Sequence, residues 1–255
     1  MLTMNAPPLP IPAATVVIFR ERAGAAPELL MVERTKAMAF AGGATVFPGG
    51  RVDPGDVALA DELGGDPEDV AARIAAIRET IEEAGIAIGI VPLPDAGALA
   101  SLRAALHGGA TIGAALHAGG LTLDTAALVP FARWLPTHRE RRVFDTRFYL
   151  ALLSEGAPAP QVDATENTRA FWASGQAVLD DAAAGREHVI FPTRRILDRL
   201  ATYPSFAAAR ADAAAFPIRT VSPWIEDRDG VPHLCIPDDL GYPITAEPLA
   251  DVLRG

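Results

Sequence analysis

Arg78-Glu79-Thr80-Ile81-Glu82-Glu83-Ala84-Gly85-Ile86 closes the most regular helical pattern in the chain. The pattern predicts a helix from about Pro67 to Ala84. Asp66 is placed to cap it, Pro67 suits the first helical position, and Gly85 stands where a helix stops. Val70, Ile74, Ile77, Ile81 and Ala84 recur at three- and four-residue steps, which makes one apolar stripe for packing on a sheet. On another side, the same spacing gives Glu79, Glu82 and Glu83 a shared face. Three carboxylates on one patch repel each other. Arg78 offsets part of that by reaching Glu82 one turn on, and a divalent cation would offset the rest. Mg²⁺ takes hard oxygen ligands and bridges readily to phosphate oxygens. Gly49-Gly50, without side chains, lets the backbone approach the same place. Three glutamates alone would more readily suit an ordinary solvated helix face, so the rest of the chain has to decide.

Working outward, Ala14 to Arg20 and Leu29 to Glu33 read as strands joined by a turn over Glu21 to Pro27. Thr35 to Thr45 reads as a loop, and Val46 to Gly50 as a short extended piece. Asp53 to Pro67 reads as a polar loop, with glycines and prolines throughout. Beyond the helix, Ala87 to Val91 is a predicted strand and Asp95 to His107 a helix. Leu128 to Leu135, Phe144 to Leu153 and Ala170 to Trp172 are predicted strands. Helices are expected at Gly175 to Ala184, capped by Ser174, and at Thr193 to Tyr203. A turn at Asp227 to Gly230 and a strand at His233 to Ile236 follow. Hairpins and helices without regular βαβ alternation imply an α+β class, with helices packed on a mixed sheet. Residues 1–12, broken by Pro7, Pro8, Pro10 and Pro12, read as an extended lead-in to a domain over 13–255.

The formal net charge is −10, which disfavours nucleic acid as a partner, while a small phosphorylated substrate stays open because a metal reverses the local field. The N-terminal stretch is not of signal-peptide type, and the longest apolar run, Ile86 to Leu93, is too short to span a bilayer. The lone Cys235 fits a reducing compartment, so a cytoplasmic, membrane-free protein is expected.

At residues 78–86 the chain resembles the Nudix family. The family's box runs glycine, five residues, glutamate, seven residues, then the Arg-Glu…Glu-Glu…Gly ending seen here. Gly50 takes the first position, Asp56 stands where the family has glutamate, and Thr80 fills an apolar slot. Twenty-one residues separate Asp56 from Arg78, so the box, over 50–86, carries an insertion at about 57–69. The peroxisomal coenzyme A diphosphatases and their bacterial relatives carry an insertion in this place. Their upstream signature is matched by Leu29-Leu30, Arg34-Thr35, Gly43 and Phe47-Pro48-Gly49-Gly50, although Ala39 replaces a second arginine. The resemblance covers roughly residues 13 to 200 and leaves 205–255 as an extension without a motif.

The resemblance implies a Nudix α/β/α sandwich with additional helices, and hydrolysis of a diphosphate that links a nucleoside to another group. It implies Mg²⁺ or Mn²⁺ as cofactor, held by Glu79, Glu82, Glu83 and the Gly50 carbonyl, with Arg78 orienting the glutamates. The general base is either Glu82 or Glu166, and Arg34 is expected to grip a substrate phosphate. Coenzyme A or an acyl ester is the favoured substrate. NDP-sugars, ADP-ribose and NADH are alternatives, as is a non-catalytic nucleotide sensor. A homodimer is open. The run His138 to Arg142 is a phosphate-binding candidate of a kind that is more often simply solvated, and Trp134, Phe148 and Trp172 are expected to pack in the core rather than stack on a base.

Overall fold

The computed structural model describes residues 9–38, 41–136, 143–162 and 166–252. In chain order the elements are β1 (Ile11–Arg20), β2 (Glu28–Arg34), β3 (Thr45–Val46), β4 (Gly49–Arg51), α1 (Pro54–Leu63), α2 (Pro67–Ala84), β5 (Ile90–Val91), α3 (Ala96–His107), α4 (Ile112–Gly119) and β6 (Thr122–Leu123). They continue with β7 (Val129–Trp134), β8 (Phe144–Leu152), β9 (Asn167–Ser174), α5 (Gly175–Ala183), α6 (Phe191–Leu200), α7 (Phe206–Ala215), β10 (Thr220–Val221), β11 (Trp224–Arg228), β12 (Val231–Cys235), β13 (Ala246–Pro248) and α8 (Leu249–Val252).

The main sheet runs β10-β7-β8-β1-β2-β3, with β4 also on β1 and β9 also on β2. It is mixed: β1 lies parallel to β8 and β10 parallel to β7, while the other pairs are antiparallel. Alternation along β1 sends Ala14, Val16 and Ile18 into one core, with α1 to α4, and Val17 and Phe19 into a second, with α5 to α7. Both faces are covered, which is why β1 reads as a nearly continuous apolar run. The expected α+β class and α/β/α layering hold.

The central helix forms for the local reasons its sequence predicts. Asp66 accepts the Glu68 N–H at 3.2 Å, Pro67 opens the helix, and Gly85 ends it in the left-handed conformation at φ 61°. Ile74, Ile77, Ile81 and Ala84 are fully buried against the sheet.

Several expectations need correction. Asp53 to Pro67 is not a loop, because α1 occupies most of it. Asp53 begins α1, Pro54 takes its first turn, and the Asp53 N–H donates to Asp56 Oδ2 at 2.8 Å, closing the turn as a capping box does. The insertion at about 57–69 is thus helical in its first half and mostly exposed, touching the core at few points. Ala60 packs in the first core, and Asp69 accepts the Tyr149 hydroxyl at 2.8 Å and Arg73 Nε at 2.6 Å. The lead-in set at 1–12 ends early, since Ile11 and Pro12 already pair with Phe144 and Asp145 of β8. The strand expected over Ala87 to Val91 shrinks to Ile90–Val91, and the strand at Ala170 to Trp172 lengthens to Asn167–Ser174 along β2. Residues 205–252, for which no motif was found, contribute to the second core through Ala209, Ala213, Val221, Ile236, Leu240 and Tyr242. The run His138 to Arg142 lies outside the described residues, as does Ala39.

Candidate active site

The C-terminal end of α2 meets β4 beside β1. β4 pairs with β1 through Gly50 opposite Ala14 and Gly49 opposite Thr15. The Gly49 N–H donates to Glu83 Oε2 at 3.0 Å. A Cβ on Gly50 would fall inside the Glu79 carboxylate, so this close approach requires glycine. Gly50→Ala is expected to push Glu79 aside and lower turnover by about a hundredfold. Steady-state rates of the folded variant check this, and wild-type turnover would show that the close approach is unimportant.

Arg78 organises the acidic face. Its Nε donates to Asp56 Oδ1 at 3.0 Å and its Nη2 to Asp56 Oδ2 at 2.9 Å, a two-pronged grip on a carboxylate only 1% exposed. Nη1 reaches Glu79 at 2.9 Å and Glu82 at 3.0 Å, and Nη2 also reaches the Arg51 carbonyl at 2.8 Å. Burial alone would depress the Arg78 guanidinium, but the Asp56 hydrogen bond and the charges of Glu79, Asp56 and Glu82 raise it well above its ordinary value. Asp56 thus anchors the arginine that holds the glutamates. The capping spacing of Asp53 and Asp56 is the local sign of that helix; the pairing with Arg78 depends on the packing of α1 on α2.

From the far side, Arg103 of α3 donates to the Glu82 carbonyl through Nε at 3.0 Å and Nη2 at 2.7 Å. This satisfies a carbonyl at the helix end and holds the last turn in place. Asn167, at the start of β9, is fully buried and its side chain hydrogen-bonds Glu83. Neither residue stands out in the sequence, because both reach α2 from distant segments.

The electrostatics leave the patch short of positive charge. Burial pushes Glu79 up to about 8; Arg78 pulls it back, while Glu83 and Glu82 add to the rise. Burial pushes Glu83 up to about 7 against the pull of the Gly49 N–H, Asn167 and Arg34. Glu82 is raised too, again by burial first and in spite of Arg78. Among the described residues no group of three acidic, histidine or cysteine side chains forms a ready metal cage. Glu79 and Glu82 are turned onto Arg78, and Glu83 onto Gly49. The donor chemistry nevertheless fits a hard divalent cation: buried carboxylate oxygens outnumber the guanidinium groups facing them, and a glycine backbone lies alongside.

All the expected site residues border one cavity of about 530 Å³. Gly50, Arg78, Glu79, Glu82 and Glu83 line it together with Arg34 and Glu166. Arg34 ends β2, and its Nε is buried without a hydrogen-bond partner among the described residues. Glu166 is exposed, and its charge raises Glu83. Trp134 and Phe148 line the cavity but are also core residues, 1% and 6% exposed. Trp172 packs at the first core with Arg20 over its ring at 4.4 Å.

The sequence family described as the NUDT19 Nudix domain matches residues 58–194, more than half of the chain. This chain belongs to that Nudix family. The family match takes in Arg78, Glu79, Glu82, Glu83 and Glu166 and leaves Arg34, Gly49 and Gly50 outside. The putative nudix hydrolase 7 of Caenorhabditis elegans is 29% identical over 161 residues, covering 62% of this chain and 50% of that protein. The chain thus spans about half the length of that curated relative. The crystal structure of a NUDIX hydrolase from Alicyclobacillus acidocaldarius superposes with a TM-score of 0.70 at 29% identity, over 81% of this chain and 97% of that one. No helix among the described residues is long and apolar enough to cross a membrane.

Proposed function

We propose that this Nudix protein hydrolyses a diphosphate bond joining a nucleoside to a second group, with coenzyme A or an acyl-coenzyme A as favoured substrate. The observation that carries this is the convergence of Glu79, Glu82, Glu83, Gly50 and Arg34 on one cavity. Glu79, Glu82, Glu83 and the Gly50 carbonyl would hold Mg²⁺ or Mn²⁺. When bound, the cation supplies charge neutralisation and polarisation at the phosphorus centre. Arg78 keeps Glu79 and Glu82 facing the cavity. Arg34, with its Nε unspent, grips a phosphate beyond the glutamates. Water attacks one phosphorus, the bridging P–O bond breaks, and two phosphate monoesters leave. From coenzyme A these are 4′-phosphopantetheine and adenosine 3′,5′-bisphosphate.

Glu166 suits the general base better than Glu82. Glu166 lines the cavity on its solvent-exposed side, where the attacking water enters, while Glu82 is needed by the Arg78 cluster at 3.0 Å. Glu166→Gln is expected to lower kcat by about 10²–10³-fold and remove the acidic limb of the pH–rate profile. If that limb survives in Glu166→Gln and vanishes in Glu82→Gln, the base is Glu82.

The spacing from Leu29-Leu30 through Arg34 to Phe47-Pro48-Gly49-Gly50 supports coenzyme A over NDP-sugars, ADP-ribose or NADH. Comparing kcat/KM for coenzyme A, acetyl-coenzyme A, ADP-ribose, NADH, an NDP-sugar and GTP under one metal condition tests this. Failure to cleave coenzyme A species sinks the substrate, and failure to cleave any diphosphate sinks the hydrolase reading in favour of a nucleotide sensor.

A further inference from the structure

Glu83 is held differently from its two partners on the acidic face of α2. Glu79 and Glu82 meet a guanidinium, that of Arg78, at 2.9 and 3.0 Å. Glu83 is hydrogen-bonded by two neutral groups: the Gly49 N–H, at 3.0 Å to Oε2, and the side chain of Asn167. An ionised carboxylate only accepts, so the Asn167 amide N–H is the donor. A guanidinium fixes a carboxylate and cancels its charge, whereas a neutral donor fixes it and leaves the charge in place.

Asn167 reaches Glu83 because β9 is irregular at its start. Arg169 stands opposite Glu33 and Asn167 opposite Arg34, so Thr168 is an extra residue against β2. The Thr168 hydroxyl donates to the Glu33 carbonyl at 3.3 Å. In an unbroken strand Asn167 would share a face with Arg169, two positions on, which is exposed and paired with Glu33 at 3.2 Å. The bulge breaks that alternation. Thr168 and Arg169 are both exposed, and Asn167 turns inward to full burial. The Thr35 N–H, donating to the Glu166 carbonyl at 2.8 Å, holds the chain just before it. Arg34, across the ladder from Asn167, and Glu166, its neighbour in sequence, both line the cavity.

We propose that Asn167 is a positioning residue for Glu83: delivered by the β9 bulge, its amide holds the carboxylate toward the cavity without neutralising it, so that a divalent cation meets a fixed anionic ligand. This rests on the reading of the acidic face as a cation site. Packing alone does not account for an asparagine here. Asparagine is a poor strand residue, and burying its amide costs stability unless the hydrogen bonds are met. A hydrogen bond that orients a metal-binding side chain is typically worth about 10–100-fold in metal affinity.

Mn²⁺ binding, read without substrate from the electron paramagnetic resonance of the free ion, tests this. Asn167→Ala is expected to raise the Kd about tenfold. Asn167→Thr keeps the volume and suits a strand but is too short to replace the amide; it should show the same loss, and it serves if the alanine variant does not fold. The loss should persist in a Glu82→Gln background, because Arg78 holds Glu82. It should vanish in a Glu83→Gln background, because Asn167 acts through Glu83. Saturating Mn²⁺ should recover most of the turnover of Asn167→Ala, which damage to the packing would not allow. An unchanged Kd in the Asn167 variants, or an undiminished loss in the Glu83→Gln background, overturns the role of Asn167 and leaves the cation site standing. A wild type that binds no Mn²⁺ overturns the cation site and the role of Asn167 with it.

Discussion

Glu83→Gln is expected to lower kcat by about a thousandfold while leaving the fold intact. The carboxylate is 3% exposed, accepts the Gly49 N–H at 3.0 Å and lies beside Asn167, so it is placed by three segments at once. Glutamine keeps one oxygen to accept the Gly49 N–H and nearly the same volume, which protects the packing. What it removes is the negative charge that a divalent cation needs. A thousandfold corresponds to about 4 kcal/mol of transition-state stabilisation, of the order expected for losing a principal metal ligand. The rise in melting temperature on adding Mg²⁺ should shrink in parallel, since a ligand stabilises only the state that binds it. A folded Glu83→Gln protein with near-wild-type turnover at saturating Mg²⁺ would remove Glu83 from the site.

Asp56→Ala is expected to cost about 3–5 kcal/mol of stability, the range for breaking a buried ion pair from one side. Asp56 is 1% exposed and Arg78 7%, so water cannot replace the lost partner. For a chain of this size that corresponds to a fall in melting temperature of roughly 10 °C. The loss should exceed that of an exposed pair such as Arg186 with Asp181, whose side chains are 63% and 41% exposed and where little change is expected. Turnover should fall as well, because the same guanidinium holds Glu79 and Glu82. Thermal melts of the two alanine variants, Asp56→Ala and Asp181→Ala, check the contrast; equal shifts would mean that the Arg78 pairing contributes nothing special.

What could be read along the chain was whatever local spacing decides. The extent of α2, its caps at Asp66 and Gly85, its buried stripe and the shared face of its glutamates all follow from the helical period and from backbone preferences within a turn or two. β1, β2, β7 and β8 were legible because buried strands are dense in apolar residues. α1 was missed because Pro54, Gly55, Gly64 and Gly65 read as loop punctuation, although a proline in the first turn and glycines beyond the end are compatible with a short helix. The partner of Arg78, the approach of Asn167 to Glu83 and the seat of Tyr242 on Trp134 had no local signature. Each joins segments 22, 84 or 108 positions apart, and only the layering of helices on both faces of the sheet brings them within reach. Residue spacing thus determined which side chains share the acidic helix face; the tertiary structure decided which of them are buried, which are paired and what the cavity wall opposite is made of, because burial and pairing are properties of the packed layers and not of any one element.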